Sequence, residues 1–376
     1  MKTILHTTIS PCDNERRIFH EVETASGTGY RVFILALKTP DLPARELKGG
    51  VPIHRLPIPV WKGGPFKFLL FNLKLFFKLF GTAFDLLHCH DLWVLPASAL
   101  AARLKGKKLV YDAHEYYAGL EIFQHKRCSR VLWLQVQRWL MPLVDALIAV
   151  NPEQLARYQE DFPRLRRCRV LFNFPRCRSG GSTRTPGFQD RENVVLFQGI
   201  FKPGRGLFSL LTAFEGMDET IHLWLIGFGE LEDRLKQRFR SHPRRSQIHF
   251  LGKLPLPSIG RFTRRARVGV VLFEPTSINY RLAAPNKFFE YVSAGTPIVA
   301  SRIPTFEALN QQFEVALLVD PNKPEEISRA IRILLQQPDV WHRLHQQCLK
   351  ARTVWCWEQQ EDRLLSLYND LISGTP

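Results

Sequence analysis

Short apolar runs alternate with longer segments of helical period along most of the chain. In the first half, residues 4–9, 32–37, 53–56, 86–89, 109–112 and 146–150 are apolar enough to be strands of a parallel sheet covered on both faces. Between most of them lie helix-patterned stretches at 15–25, 93–104 and 129–140. This order predicts a doubly wound α/β domain.

Residues 176–187 interrupt the pattern. Arg178, Ser179, Gly180, Gly181, Ser182 and Thr183 cannot build a core and predict an exposed interdomain segment. A second alternating series follows, with strands at 194–197, 223–226, 248–251, 268–273, 298–300 and 316–319. Its helices are predicted at 207–214, 231–239, 285–294, 324–335 and 338–352. The expected organisation is a first domain over 1–176, a connector over 177–188 and a second domain over 189–356. An amphipathic helix in 357–376 ends the chain. Two tandem domains of this kind imply a ligand crevice between the carboxyl edges of their sheets.

The clearest chemistry lies in the segment from Ala284 to Ala300. Pro285 suits a first helical position and Gly295 a helix end. Lys287 and Glu290 are three apart and share a face at the amino end. Free backbone N–H groups and a cation suit a phosphate there, with Asn286 beside it, and a carboxylate one turn on can accept from sugar hydroxyls. A glycine turn, Gly199 to Gly206, runs from a strand end into a helix and carries Arg205. Leu225-Ile226-Gly227-Phe228-Gly229 is a second strand-to-glycine junction, but the full dinucleotide fingerprint is absent.

The segment from Pro285 to Gly295 resembles the donor-binding segment of family-4 glycosyltransferases, retaining enzymes of the two-Rossmann-domain type called GT-B. The resemblance implies that Glu290 binds the nucleotide ribose, as the second of two family glutamates. The first would fall at Leu282, so one carboxylate near the donor sugar is missing. It also implies that Arg205 and Lys287 neutralise the departing diphosphate, where negative charge builds in the transition state. Ile200 stands where the family usually has Arg. The segment from His249 to Lys253, with Gly252, resembles the part whose backbone meets the nucleobase.

In the first domain, His88-Cys89-His90-Asp91 and Tyr111-Asp112-Ala113-His114-Glu115 end two strands. The resemblance places the second of these near donor sugar and acceptor, with His114 bonding a hydroxyl and Asp112 orienting it. His90 is expected on the acceptor side. Asp13 is a fair N-cap with Arg16 three residues later, and the family's loop here faces the acceptor. His88, His90, Asp112 and His114 are also a combination of metal-ligating types. GT-B enzymes work without one, and the Asp-x-Asp motif of metal-dependent GT-A enzymes is absent. No metal or other cofactor is expected.

The net charge of +17 favours anionic partners, although most arginine clusters read as solvated helix faces. No nucleic-acid-binding signature is present, and no nucleic-acid partner is expected. The first nine residues read as a strand instead of a signal peptide, and no apolar run reaches 18 residues. Seven scattered cysteines without paired spacing suggest a reducing cytoplasm. Residues 66–80 are nearly all Leu and Phe apart from Lys67, Lys74, Lys78 and Asn72. Such a helix suits an anionic membrane interface; a helix buried against the first sheet is the alternative.

The expected protein is a cytoplasmic, membrane-peripheral glycosyltransferase of hexosyltransferase type. It would use a UDP- or GDP-sugar with retention and a glycan or polyprenyl-linked acceptor. A nucleotide-sugar epimerase of the same fold and a non-catalytic scaffold are the alternatives. Leu282 and Ile200 favour the scaffold.

Overall fold

The computed structural model describes residues 1–59, 65–120, 127–177 and 185–374. Of the expected connector, 177–188, residues 178–184 lie outside them. The chain forms two compact units, Met1–Phe172 with Gln360–Pro376, and Asn173–Gln359.

The first unit runs β1 (Thr3–Thr7), α1 (Arg16–Gly27), β2 (Arg31–Leu37), β3 (Arg45–Lys48), β4 (Val51–Leu56), α2 (Pro65–Phe80), β5 (Leu86–His90) and α3 (Leu95–Leu104). It continues with β6 (Lys108–Ala113), α4 (Arg127–Leu140), β7 (Ala146–Ala149), α5 (Pro152–Asp161) and β8 (Cys168–Val170). The sheet order is β3-β4-β2-β1-β5-β6-β7-β8. All pairs are parallel except the β3–β4 hairpin. The apolar-run argument misses β3 and β8, because neither is apolar: β3 is an edge ribbon and β8 a three-residue edge. Ile4, Leu5, Leu35, Leu86, Leu87, Val110 and Leu147 fill the core as the pattern requires.

The second unit runs β9 (Glu192–Gln198), α6 (Leu207–Phe214), β10 (His222–Ile226), α7 (Glu232–Arg240), β11 (Ile248–Gly252), α8 (Leu256–Arg265), β12 (Ala266–Val271), α9 (Ile278–Arg281) and α10 (Asn286–Ser293). Then come β13 (Ile298–Ser301), α11 (Pro304–Gln312), β14 (Ala316–Val319), α12 (Pro324–Gln336) and α13 (Pro338–Val354). Its sheet is wholly parallel, in the order β11-β10-β9-β12-β13-β14. The order reverses on either side of β9, and open α/β sheets take ligands at such a switch point, beyond the carboxyl ends of the strands. The last helix, α14 (Glu361–Ser373), belongs to the first unit, where Leu364, Leu367 and Tyr368 are buried.

Three expectations need correction. Pro285 caps α10 from outside (φ −74°, ψ 143°) and Asn286 is the first helical residue. Asp13 does not cap α1: Glu15 holds that position with no side-chain cap bond, and the Asp13 carboxylate accepts from Asn14 instead. The cysteines are not all reduced, since Cys177 and Cys356 form a disulfide across a separation of 179 residues. Their segments lie side by side because the Trp357 N–H donates to Pro175 (2.9 Å) and the Cys177 N–H to the Glu358 carboxylate (2.6 Å). Sequence spacing carries no trace of that adjacency.

Candidate functional site

In the second unit, the glycine turn after β9 and the amino end of α10 come together. Gly199 has φ +137°, and a Cβ on it would stand 3.9 Å from the Lys287 Nζ. Gly227, after β10, is closer still: a Cβ there would meet the Gly199 carbonyl at 1.8 Å. Only glycine allows these two strand ends to approach so closely. Gly252 ends β11, and its carbonyl accepts from the Gly227 N–H at 2.9 Å.

Lys287 is buried although it is charged by nature. Its ammonium lies 4.1 Å from the centre of the Phe197 ring and 5.8 Å from that of Phe273. The Arg205 guanidinium stacks over the same Phe273 at 4.3 Å and over Tyr280 at 5.2 Å. The Tyr280 hydroxyl donates to the Pro203 carbonyl (2.8 Å) and so pins the turn that carries Arg205. Burial and then Arg205 push the Lys287 ammonium well below its ordinary value, and Glu290 opposes them. A buried lysine beside an arginine and next to glycines wants an anion.

Glu290 sits one turn into α10, and its carboxylate accepts from the Gln198 side chain. Gln198 in turn accepts from the Thr263 hydroxyl at 3.1 Å. Asn286 is exposed in the first turn. Leu282 closes α9, and Ile200 is exposed. Two supporting residues escape the sequence argument. Gln198 is one; Arg191 is the other, buried, donating to the carbonyls of Ala294 (2.7 Å) and Ala266 (2.9 Å) and to the Thr296 hydroxyl (2.7 Å). Burial draws Arg191 down to about 10. It anchors the far end of α10, satisfying carbonyls that helix termini leave open.

In the first unit, strand register gathers the histidines. His6 on β1 pairs with His88 on β5, and His90 with Asp112 on β6. His88 and His90 are two apart and therefore share a sheet face. Helix α1 covers that face with Arg17 and Glu21. Arg17 grips Asp112 with two bonds of 2.7 Å and donates to the Leu171 carbonyl at 2.6 Å. Burial alone would raise Asp112, but Arg17 and then His114 hold it well below the usual carboxylate range.

His114 is partly exposed. Its Nε2 is 3.0 Å from Asp112 Oδ2, and its Nδ1 is 3.7 Å from Asp91. Burial opposes its charge, yet Asp91 and Asp112 carry it to about 9. Asp91 adopts φ +74°, uncommon for a residue with a side chain. His90, expected on the acceptor side, is fully buried among His6, Asp112 and His114. Strand alternation turns it toward the sheet interior under α1. Asp13 is exposed and Arg16 half-buried on the loop and first turn ahead of Arg17.

The structure thus brings Gly199, Arg205, Lys287 and Glu290 into one cluster, and His90, Asp112 and His114 into another. Arg17, Glu21 and His6 are missing from the sequence argument, though a signal existed. Arg17 and Glu21 are four apart and flank Ile18, Val22 and Ala25, so they fall on the apolar side of α1.

Comparison with known proteins bears on the fold and the family. The model for "Glycosyl transferases group 1" matches residues 182–351, and that for "Glycosyl transferase 4-like domain" matches residues 15–173. D-inositol 3-phosphate glycosyltransferase from Corynebacterium glutamicum is 23% identical over 202 residues, about half of each protein (51% of this chain and 47% of the relative). Sucrose-phosphate synthase from Thermosynechococcus elongatus superposes with a TM-score of 0.78 at 18% identity, over 100% of both chains. Anabaena HepE, solved with UDP and glucose, gives 0.76 at 13% identity over 99% of this chain and 100% of its own. Two parallel-sheet α/β units and both family matches make this chain a glycosyltransferase of the family-4, GT-B type.

Proposed function

We propose that the chain transfers a sugar from a UDP- or GDP-sugar, with retention, to a glycan or lipid-linked acceptor at the cytoplasmic face of a membrane. The observation that carries the donor half is Lys287, buried beside Arg205 at a glycine-lined sheet edge. In this reading the diphosphate takes the two cations and the α10 amino end, and Glu290 takes ribose hydroxyls. The nucleotide in the HepE structure is UDP, which favours a uridine donor.

The two cations stabilise the leaving diphosphate as its bond to the sugar breaks. Among the described residues no pair of carboxylates proposes itself as nucleophile and acid/base. That supports front-face displacement, in which the leaving phosphate accepts the proton of the acceptor hydroxyl. His114, protonated and held by Asp112, hydrogen-bonds a sugar hydroxyl. Asp112 is too deeply buried to touch substrate and acts through His114.

Helix α2 supports the membrane half. Phe71, Leu75 and Leu79 face the core, while Phe66, Leu69, Leu73, Phe77 and Phe80 form a second stripe, exposed by 50% to 70%. Leu104 on α3 and Trp139 on α4 are likewise exposed. Lys67, Lys74 and Lys78 flank the stripe; Asn72, expected beside them, instead bonds the Trp93 carbonyl and the Ala97 N–H. An outward apolar stripe edged by lysines matches an anionic lipid surface. Among the described residues no helix is long and apolar enough to cross a membrane.

Equilibrium binding of UDP, GDP and their sugars, followed by turnover on lipid-linked acceptors, tests the proposal. A chain that binds none of these nucleotides refutes the donor site; binding without turnover or donor hydrolysis marks a scaffold. Thiol trapping of Cys177 and Cys356 in living cells tests the compartment: free thiols support the cytoplasmic face, and the disulfide of the structure found intact there counts against it.

A further inference from the structure

The interior beneath α1 holds an arrangement that sugar transfer does not use. One side-chain atom from each of His6, Glu21, His88 and His90 lies within 4.8 Å of every other, and all four residues are buried. Glu21 Oε2 is 3.6 Å from His88 Nε2 and 3.7 Å from His90 Nε2, and His6 Nδ1 is 2.9 Å from His90 Nε2. Among the described residues, neither Glu21 oxygen has a hydrogen-bond donor and His88 Nε2 has no hydrogen-bond partner. The nearest cation, Arg17, is 3.3 Å from Glu21 Oε1 but gives its bidentate grip to Asp112.

The remaining ring nitrogens are already engaged. His88 Nδ1 is 2.6 Å from the Tyr368 hydroxyl and His90 Nδ1 is 3.2 Å from Asp112. In the tautomer in which these two Nδ1 atoms donate, both Nε2 lone pairs face the Glu21 carboxylate, and His6 Nδ1 reaches the one on His90. The His88 lone pair and the Glu21 carboxylate then face each other out of water, which calls for a cation between them.

We propose that His6, Glu21, His88 and His90 bind a divalent transition-metal ion, zinc by preference, as a structural site of the first unit. Three imidazoles and a carboxylate suit zinc, and four donors at ordinary bond lengths stand about 3.4 Å apart in a tetrahedron. The separations of 2.9, 3.6 and 3.7 Å bracket that spacing. Tyr368 and Asp112 are the outer partners that fix the tautomer of a ligating histidine. The ion ties β1, β5 and α1 to one another and, through Tyr368, to α14. It does not meet substrate.

The test is elemental analysis of the full chain, equilibrated with zinc and then dialysed. About one zinc per chain is expected, with a higher unfolding temperature than the chelated protein. Glu21→Gln combined with His88→Gln abolishes the stoichiometric ion, whereas Cys177→Ser with Cys356→Ser retains it. A wild-type chain that holds no ion, or an ion that survives E21Q/H88Q, overturns the site. Should that variant fail to fold, the cobalt-substituted wild type decides. Visible bands of four-coordinate nitrogen and oxygen ligation support the assignment, and a thiolate-to-cobalt charge-transfer band refutes it.

Discussion

The cations of the second unit stand at a sheet edge, beside glycines and an open helix end. The charged groups of the first unit lie beneath a helix, with Glu21 and Asp112 sealed from water. Arg205 and Lys287 repel one another and press against aromatic rings, so their arrangement suits a ligand that is not part of the chain. Arg17, Asp112 and His114 instead satisfy one another. One region is built to receive charge and the other to hold it in place, and substitutions at the two sites should part company accordingly.

The largest effect is expected from Arg17→Leu. It leaves the Asp112 carboxylate buried without its partner, a loss of about 3–5 kcal/mol in stability. Denaturant unfolding measures it, and a loss near zero would show that Asp112 does not depend on Arg17. Lys287→Ala should do the reverse. It removes a desolvated cation, so stability holds or rises, while nucleotide affinity falls by about 1.5–3 kcal/mol, roughly tenfold to a hundredfold. Equal affinity in this variant would empty the second site of its meaning.

Third, Phe66→Ser with Phe77→Ser should weaken binding to anionic vesicles by about 1 kcal/mol per ring. Binding to free nucleotide should stay unchanged. Vesicle sedimentation that does not respond would return the outward stripe of α2 to an unassigned surface.

The smallest effect is a proton. Lys287 has a lowered value in the free protein, and a bound diphosphate favours its charged form and raises it. Binding therefore takes up a proton wherever the pH lies between the lowered value and the value in the complex. Affinity then falls as pH rises through that window. Calorimetry in buffers of different ionisation heat reads the uptake, and Lys287→Met should remove it.

The same contrast explains what a reader of the sequence could see. Lys287 and Glu290 are neighbours on one helical turn, and Gly199 to Gly206 is a continuous stretch, so local spacing exposes the second-unit cluster. The alternation of apolar runs with helical segments likewise exposes two doubly wound sheets. His6, Glu21 and His88 are brought together by strand register and helix packing, which no local pattern records. Gln198 and Arg191 act on α10 from about 90 to 100 positions away, bonding Glu290 and Ala294. Edge strands such as β3, with its Arg45-Glu46-Leu47-Lys48 sequence, look like loops because a ribbon at the margin buries little.

Helix α14 carries a consequence for how the protein is made. The unit that starts the chain is completed by residues 360–376, with Tyr368 buried against His88. On the ribosome, the sheet of the first unit emerges long before its covering helix, and the second unit is synthesised in between. Until α14 has emerged, Leu364, Leu367 and Tyr368 cannot take their places, and the apolar ground they occupy stays open to other contacts. Truncation ahead of α14 would therefore damage the first unit more than the second.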